Sequence, residues 1–203
     1  MRTLLLAVAV LPVVPTPAAA ESVQYTVDES RSAVRVHVGK SGAFSFAGHR
    51  HEVDAPVTGS VTADPAALNA SSVDLRFASA RLRVRPEGEP EGDAPKVQEV
   101  MHGPKVLDAG RFPEIRFVSK AVRGQGSGPA YDLVIVGDLT LRGVTRELSV
   151  PARVTVDGRT LTATGKLALR HDQFGLKPVS AAGGTVKVAN ELRVDFTIVA
   201  DRR

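Results

Sequence analysis

The chain has 203 residues, a formal net charge of +4 and no cysteine, and 43% of its residues are hydrophobic. The lack of cysteine excludes a disulfide framework, a zinc finger and a thiol nucleophile. The basic residues are scattered along the chain, which is typical of a solvated surface and argues against nucleic-acid binding. The chain is long enough to bury one sizeable core.

The first 20 residues, MRTLLLAVAVLPVVPTPAAA, have the pattern of a secretory signal peptide. A basic residue precedes an apolar run, and small residues in an A-x-A arrangement end the segment. The run is shorter than the roughly 20 apolar residues that span a bilayer. We therefore predict that residues 1–20 are removed and that residues 21–203 form one soluble domain, periplasmic or secreted, without stable membrane insertion.

The segment SAVRVHVG places Val34, Val36 and Val38 on one face and Arg35 and His37 on the other. This period of two is typical of a half-buried strand in an antiparallel sheet.

The stretch FSFAGHRHEV, residues 44–53, combines two aromatic rings with two histidines. If it is extended, Phe44 and Phe46 share one side, and His49 and His51 also share a side. We predict that it forms a wall near one opening, with the rings along a ligand's tail and the imidazoles near its head group. Two alternatives stay open. One is half of a metal site, which needs three or four ligands; the other is a structural polar pair at a loop-to-strand junction.

Further strands are predicted at residues 57–63, 73–84 and 114–122. In the second of these, the apolar phase slips by one near Ala78–Ser79. A β-bulge shifts the phase in this way and lets long strands coil into barrels. The glycine-rich RGQGSGPA, residues 123–130, is predicted to be a hairpin loop.

Residues 85–115 break the alternation. They open with an acidic stretch rich in proline and glycine, and a short helix is predicted at 94–103, with a proline near its start and a glycine as its stop. Val97, Val100 and Met101 would share one face of this helix. It would either close one end of a barrel or form a helical turn in a surface connection.

Alternation resumes in four later segments. The total of about eight strands, joined by turn signals such as VDGRT and LRGVT, favours an all-β, eight-stranded antiparallel up-and-down barrel, with a two-sheet sandwich as the alternative. An interior of this size is either filled by side chains or holds one small ligand, and inward side chains that are mostly Val, Leu and Ala favour the second. The predicted inward residues of these segments are Tyr131, Leu133, Ile135, Leu139, Leu141, Leu148, Val150, Ala152, Val154, Val156, Leu161, Ala163, Leu167, Leu169, Val186, Val188, Leu192, Val194, Phe196 and Ile198.

Several segments resemble the YceI-like family: AGRFPEIRFVSKAV, VIVGDLTLRGVTRELSVPARV, and RHDQFGLKP with the later VKVANELRVDFTIVA. The opening YTVDESRSAVRVHVGKSG fits the family's first strand, so the resemblance covers about residues 22–201. It implies a lipocalin-like barrel of the bacterial periplasm that holds a long-chain isoprenoid quinone, a lipid or another aliphatic molecule and is not an enzyme. The chain departs from the family pattern in APKVQEVMHGPKVL and in the histidine-rich FAGHRHEV.

We therefore expect a periplasmic binding or carrier protein for an isoprenoid quinone, a polyprenyl lipid or a fatty amide, with no further cofactor and no metal. The alternatives are a metal-dependent enzyme using His49 and His51, and a ligand-free structural or stress-response protein with a filled barrel. The sequence contains neither a nucleophile elbow nor a phosphate-cradling loop, and it leaves a homodimer open. The predicted ligand-binding residues are Phe44, Phe46, His49, His51, Met101, Phe112, Phe174 and Leu176.

Overall fold

The computed structural model describes residues 22–41, 50–87, 89–181 and 186–203. The predicted signal peptide lies outside the described residues, and so do Phe44, Phe46 and His49. Within the described ranges the chain forms twelve β-strands and one α-helix, α1, at Ala94–His102. The strands are β1 Val23–Val27, β2 Ala33–Ser41, β3 His51–Asp54, β4 Thr58–Ala63, β5 Ser72–Ala78, β6 Arg83–Val84, β7 Glu114–Ser127, β8 Ala130–Leu141, β9 Val144–Asp157, β10 Thr160–Arg170, β11 Ser180–Ala181 and β12 Val186–Arg202.

The strands close into an antiparallel barrel because short strands continue one another along the wall. β1 and β2 lie end to end beside β12, β4 and β3 lie beside them, and β5 and β6 form the next wall strand. β7, β8, β9 and β10 follow in order, and β12 pairs with β10 to complete the ring. Counted in this way over the described residues, the wall has eight strands, and the predicted up-and-down barrel is confirmed.

The predicted phase slip after β5 is real, but a tight turn and not a bulge produces it. Ser79–Arg81 form a 3-10 turn between β5 and β6. Ser79, 1% exposed, donates its backbone N–H to the Pro113 carbonyl at 2.8 Å and its hydroxyl to the Phe112 carbonyl at 2.7 Å. The pairing of β5 with β7 ends just before the turn, at Ala78 and Glu114. Beyond that point β6 diverges from β7.

Helix α1 packs along the edge of β6 that is not paired with β7. The Gln98 side-chain oxygen accepts the Val84 backbone N–H at 2.7 Å, and its amide donates to the Leu82 carbonyl at 2.7 Å. Gln98 therefore supplies bonds that a neighbouring strand would otherwise make. We call the end of the barrel that carries α1 the helix end.

The predicted helix is confirmed, and its predicted apolar face is confirmed in part. Val97 and Met101 pack against the buried core, whereas Val100 is 45% exposed. The helix ends at Gly103, whose N–H bonds to the carbonyl of Glu99 at 3.0 Å. Among the described residues, no helix is long and apolar enough to cross a membrane.

The hairpin predicted at 123–130 is present, but its loop is shorter than predicted, because β7 extends to Ser127 and β8 begins at Ala130. Gly124 and Gly126 have φ angles of 152° and 153°, a region that favours glycine. A Cβ on Gly124 would lie 2.2 Å from the Asp132 carbonyl oxygen. These glycines let the strands stay paired where larger residues would separate them, although the composition alone is typical of a loop.

Candidate ligand-binding site

An apolar cavity of about 400 Å³, here called the inner cavity, runs along the barrel interior. All the inward residues predicted for β2, β8 and β10 line it. On β8 the lining extends from Tyr131 to Leu141. That is about 33 Å of strand, which a tilt of roughly 40° shortens to about 25 Å along the barrel axis. The interior is therefore long and narrow.

Two phenylalanine rings of the wall lean against glycines. A Cβ on Gly137 would lie 2.7 Å from the Phe117 ring, and one on Gly165 would lie 2.5 Å from the Phe196 ring. Both rings line the inner cavity. Because the glycines leave room for them at the wall, these large side chains do not fill the lumen.

A second cavity of about 350 Å³, here called the vestibule, lies at the helix end. Its lining includes Lys96, Lys105 and Lys177, so its rim is partly cationic. Several apolar residues and one histidine line both cavities, so the vestibule adjoins the inner cavity at the helix end. The shared lining residues are Val38, Val53, Met101, Val106, His171 and Leu176.

His51 lines the vestibule and contacts a buried carboxyl group. Its Nδ1 lies 2.5 Å from Glu89 Oε1. The Glu89 side chain is 1% exposed and that of His51 is 18% exposed. This contact attaches the connection between β6 and α1 to the barrel wall at β3. The predicted contact of His51 with a ligand head group stays a prediction.

His171 stands at the junction of the two cavities. It begins a 3-10 turn, His171–Phe174, directly after β10, and its Nδ1 lies 3.1 Å from the Ala189 carbonyl oxygen. That contact indicates a proton on Nδ1, which donates to the carbonyl. Burial lowers the pKa of His171 below its usual 6.5, so the ring is neutral at pH 7. Its position became visible only in the fold, which brings β10 and β12 together.

The structure separates the remaining predicted residues into two groups. Met101 and Leu176 line both cavities, where a ligand would pass. Phe174 is 2% exposed and packs in a small core with Leu176, and Phe112 lies against the turn at Gly143. Neither ring is part of the lining of either cavity. Both phenylalanines therefore act as packing residues in this structure.

The alternative of a metal site at His49 and His51 requires His49, which lies outside the described residues. Within the described ranges, no three or more His, Asp and Glu side chains are grouped to hold a metal ion.

The end of the inner cavity opposite α1 carries both tyrosines of the chain. We call it the tyrosine end. The connection between β4 and β5 lies over it, and Pro65, Leu68 and Ser71 of this connection line the cavity. Asp64 orders the connection, since its Oδ1 accepts the backbone N–H groups of Ala66 at 3.0 Å and Ala67 at 2.9 Å. Of these polar lining residues, only Tyr131 was predicted to face inward.

The sequence matches the YceI-like domain family over residues 25–200. A UPF0312 protein of Shewanella sp. (strain W3-18-1) is 27% identical over 177 residues, which are 79% of this chain and 81% of that protein. A UPF0312 protein of Shewanella oneidensis is 35% identical over 83 residues, 38% of this chain; the match spans only 42% of that relative's length.

Solved structures show the same fold. Burkholderia cenocepacia BcnA superposes with a TM-score of 0.64 at 24% identity, covering 85% of this chain and 98% of that one. A polyisoprenoid binding domain from Saccharophagus degradans, implicated in plant cell wall breakdown, has a TM-score of 0.66 at 11% identity, covering 89% of this chain and 99% of that domain. At these identities the likeness concerns the fold alone. The match to the family itself extends over nearly the whole barrel, and the chain belongs to the YceI-like family.

Proposed function

We propose that this protein binds and carries a long-chain apolar molecule inside its barrel, in the periplasm or outside the cell, without covalent chemistry. The observation that carries the proposal is the long apolar inner cavity, with the vestibule adjoining it at the helix end; the two together would form one passage. An isoprenoid quinone, a polyprenyl lipid or a fatty amide has the matching shape, with a long tail and a small polar group.

The energetics of such a passage favour a chain of at least moderate length. Each buried CH₂ contributes about 0.8 kcal/mol, whereas association costs an estimated 4–15 kcal/mol of lost translational and rotational freedom. A tail of about ten or more carbons is therefore needed before the balance becomes favourable. The inner cavity, about 25 Å long, accommodates a tail of that kind.

Three further points support this function. One neighbour of the same fold is named as a polyisoprenoid binding domain. The predicted signal peptide supports export to the periplasm or beyond. Family membership agrees with a binding barrel. The predicted placement of Phe44, Phe46, His49 and His51 along the passage and at its mouth is part of the proposal.

Native mass spectrometry of the freshly purified, exported protein tests the proposal, followed by extraction and identification of bound lipid. We expect a bound long-chain molecule, or uptake of an added quinone or fatty amide. A clean ligand-free mass with no uptake would support the filled barrel instead. Bound zinc that disappears in His49→Ala would support the metal-dependent enzyme.

A further inference from the structure

Two unpaired phenol hydroxyls lie in the wall of an otherwise apolar passage. Tyr25 of β1 is 5% exposed, Tyr131 of β8 is half-buried, and both line the inner cavity. Neither hydroxyl makes a hydrogen bond with any described residue. Neither hydroxyl is among the polar atoms that are fully buried without a partner, so each can be reached from the cavity or from solvent and can donate to a bound group. Phenylalanine, which this chain uses seven times, could not donate in this way.

The strand registers place the two tyrosines at the same height on opposite walls. From Thr26, beside Tyr25, the pairings through β4, β5 and β7 lead to Asp138 on β8. In the other direction the pairings through β12, β10 and β9 lead to Gly128, two residues beyond the pairing of Ala130 with Thr155. The two directions end at different residues because the strands of a barrel are tilted. The residue of β8 at the same height as Thr26 along the barrel axis therefore lies midway between them, near residue 133 and two residues from Tyr131.

An eight-stranded barrel is only wide enough for inward side chains from opposite walls to approach one another. Two phenols at one level therefore present their hydroxyls in one cross-section of the lumen. An oxygen atom with two lone pairs can accept from both hydroxyls, and a carbonyl oxygen is such an acceptor.

The charges near this end favour a neutral acceptor. Asp64, 8% exposed, lines the cavity at the tyrosine end. Of the described residues that line the inner cavity, none is a lysine or an arginine. A carboxylate or phosphate placed here would therefore be buried without a cation, which is costly. The lysines at the vestibule stand at the opposite end of the passage.

We propose that the tyrosine end is a carbonyl-binding subsite, in which Tyr25 and Tyr131 donate to the neutral carbonyl oxygen of a long-chain ligand. The inference rests on the proposed function and narrows its ligand class to quinones, ketones, amides or esters. Because the connection over the tyrosine end covers the lumen, the ligand enters from the vestibule with its carbonyl end first. Its tail then extends back towards the helix end, so His51 in the vestibule would meet the tail and not, as the sequence predicts, the head group.

A matched set of ligands tests the subsite: a long-chain methyl ketone, the alkane of equal length and the fatty acid of equal length. Binding of each is measured by native mass spectrometry competition to the wild type, Tyr25→Phe, Tyr131→Phe and the double variant. Thr164→Val, which removes an exposed hydroxyl from the outer face of β10, is the control. We expect the double variant to lose about tenfold to a hundredfold in ketone affinity, as for two lost hydrogen bonds. Alkane affinity should stay unchanged, and the fatty acid should bind the wild type more weakly than the ketone.

The infrared carbonyl stretch of a ¹³C-labelled ketone is a second readout, expected to lie lower in the wild type than in the double variant. Equal losses for ketone and alkane would show that the tyrosines act through packing and would overturn the subsite. Unchanged ketone affinity would overturn it as well. If the wild type binds the alkane but shows no preference for the ketone, the subsite fails while the carrier function stands. If it binds none of the three ligands, both fail.

Discussion

The two ends of this barrel are built in different ways. At the tyrosine end, neighbouring strands stay paired up to short turns, and an ordered connection lies over the lumen. At the helix end, β6 separates from β7, and side chains of α1 complete the wall. Backbone ladders reach both ends, for example at Leu141 and Val144 of the helix end, but between β6 and β7 a few side-chain contacts of α1 replace the ladder.

This difference indicates where the barrel opens. Local opening is easiest where few backbone hydrogen bonds must break. Displacing α1 requires the loss of a small number of bonds from Gln98 and His102 to the backbone of Leu82 and Val84, together with the packing of Val97 and Met101. Opening the tyrosine end would break paired strands. We therefore assign ligand entrance to the helix end, and the predictions below test the contrast between the two ends.

The largest effect is expected at the base of the helix end. Phe174→Ala should lower the free energy of unfolding by about 3–5 kcal/mol, because it empties a buried site packed against Phe117, Leu139 and Leu176. Urea unfolding followed by circular dichroism measures the loss. Phe112→Ala is the control, and we expect it to cost less than half as much, because that ring is only half-buried. Equal losses would contradict the packing seen here.

A bulky side chain placed within the lumen should block long ligands from the tyrosine end while short ligands still bind near the helix end. Ala163 lines the inner cavity on the half of β10 nearer the tyrosine end. Ala163→Phe should reduce the affinity for a ligand long enough to fill the inner cavity about a hundredfold, because roughly four of its methylene groups would no longer be buried. A chain of half that length should bind nearly as before.

The matched control for this substitution is Ala168→Phe on the same strand, where the side chain is exposed. It should leave both affinities unchanged. If Ala163→Phe weakened short and long chains equally, ligands would not reach the tyrosine end.

Alternation in the sequence was sufficient to predict most of the wall. Each inward residue predicted for β8, from Tyr131 to Leu141, lines the inner cavity, because one face of the strand is buried along its whole length. The shift in alternation at Ser79 was predicted at the correct position but was attributed to a β-bulge instead of a 3-10 turn. A bulge and a 3-10 turn both shift the alternation by one, so the pattern cannot distinguish them.

The site was less accessible to sequence reasoning because it depends on strands that are distant in the chain. Met101 and Leu176 were predicted, and they do line the passage. The roles of His171 and of the tyrosine pair follow from the register of the closed barrel, and no local pattern encodes that register. Phe112 and Phe174 were chosen for their aromatic character, which identifies a packing residue as readily as a ligand contact.

A smaller effect is expected from the side chain that anchors α1. Gln98→Ala should destabilise the protein by about 1–3 kcal/mol, because it leaves the Val84 N–H without its partner and leaves His102 alone at the Leu82 carbonyl. Hydrogen exchange at Val84 should become faster, and ligand should dissociate faster. Lys96→Ala, at an exposed ion pair with Asp93, is the control and should change stability by less than about 0.5 kcal/mol. If exchange at Val84 is the same in both variants, α1 is not attached to the barrel through Gln98.

The smallest effect is a pH dependence at the junction of the cavities. Burial lowers the pKa of His171 in the folded protein, so near the usual value of 6.5 the unfolded chain binds a proton that the folded protein does not. The contribution of His171 to stability is therefore fully present above pH 6.5 and is lost as the pH falls through the lower folded value. His171→Gln should reduce the loss of melting temperature between pH 7.5 and pH 5. Asp74 of β5, whose pKa a hydrogen bond from Arg116 holds at about 2, loses its contribution only below about pH 4. Asp74→Asn should therefore leave the loss between pH 7.5 and pH 5 unchanged. If His171→Gln also leaves it unchanged, His171 does not stand as a neutral ring at the junction.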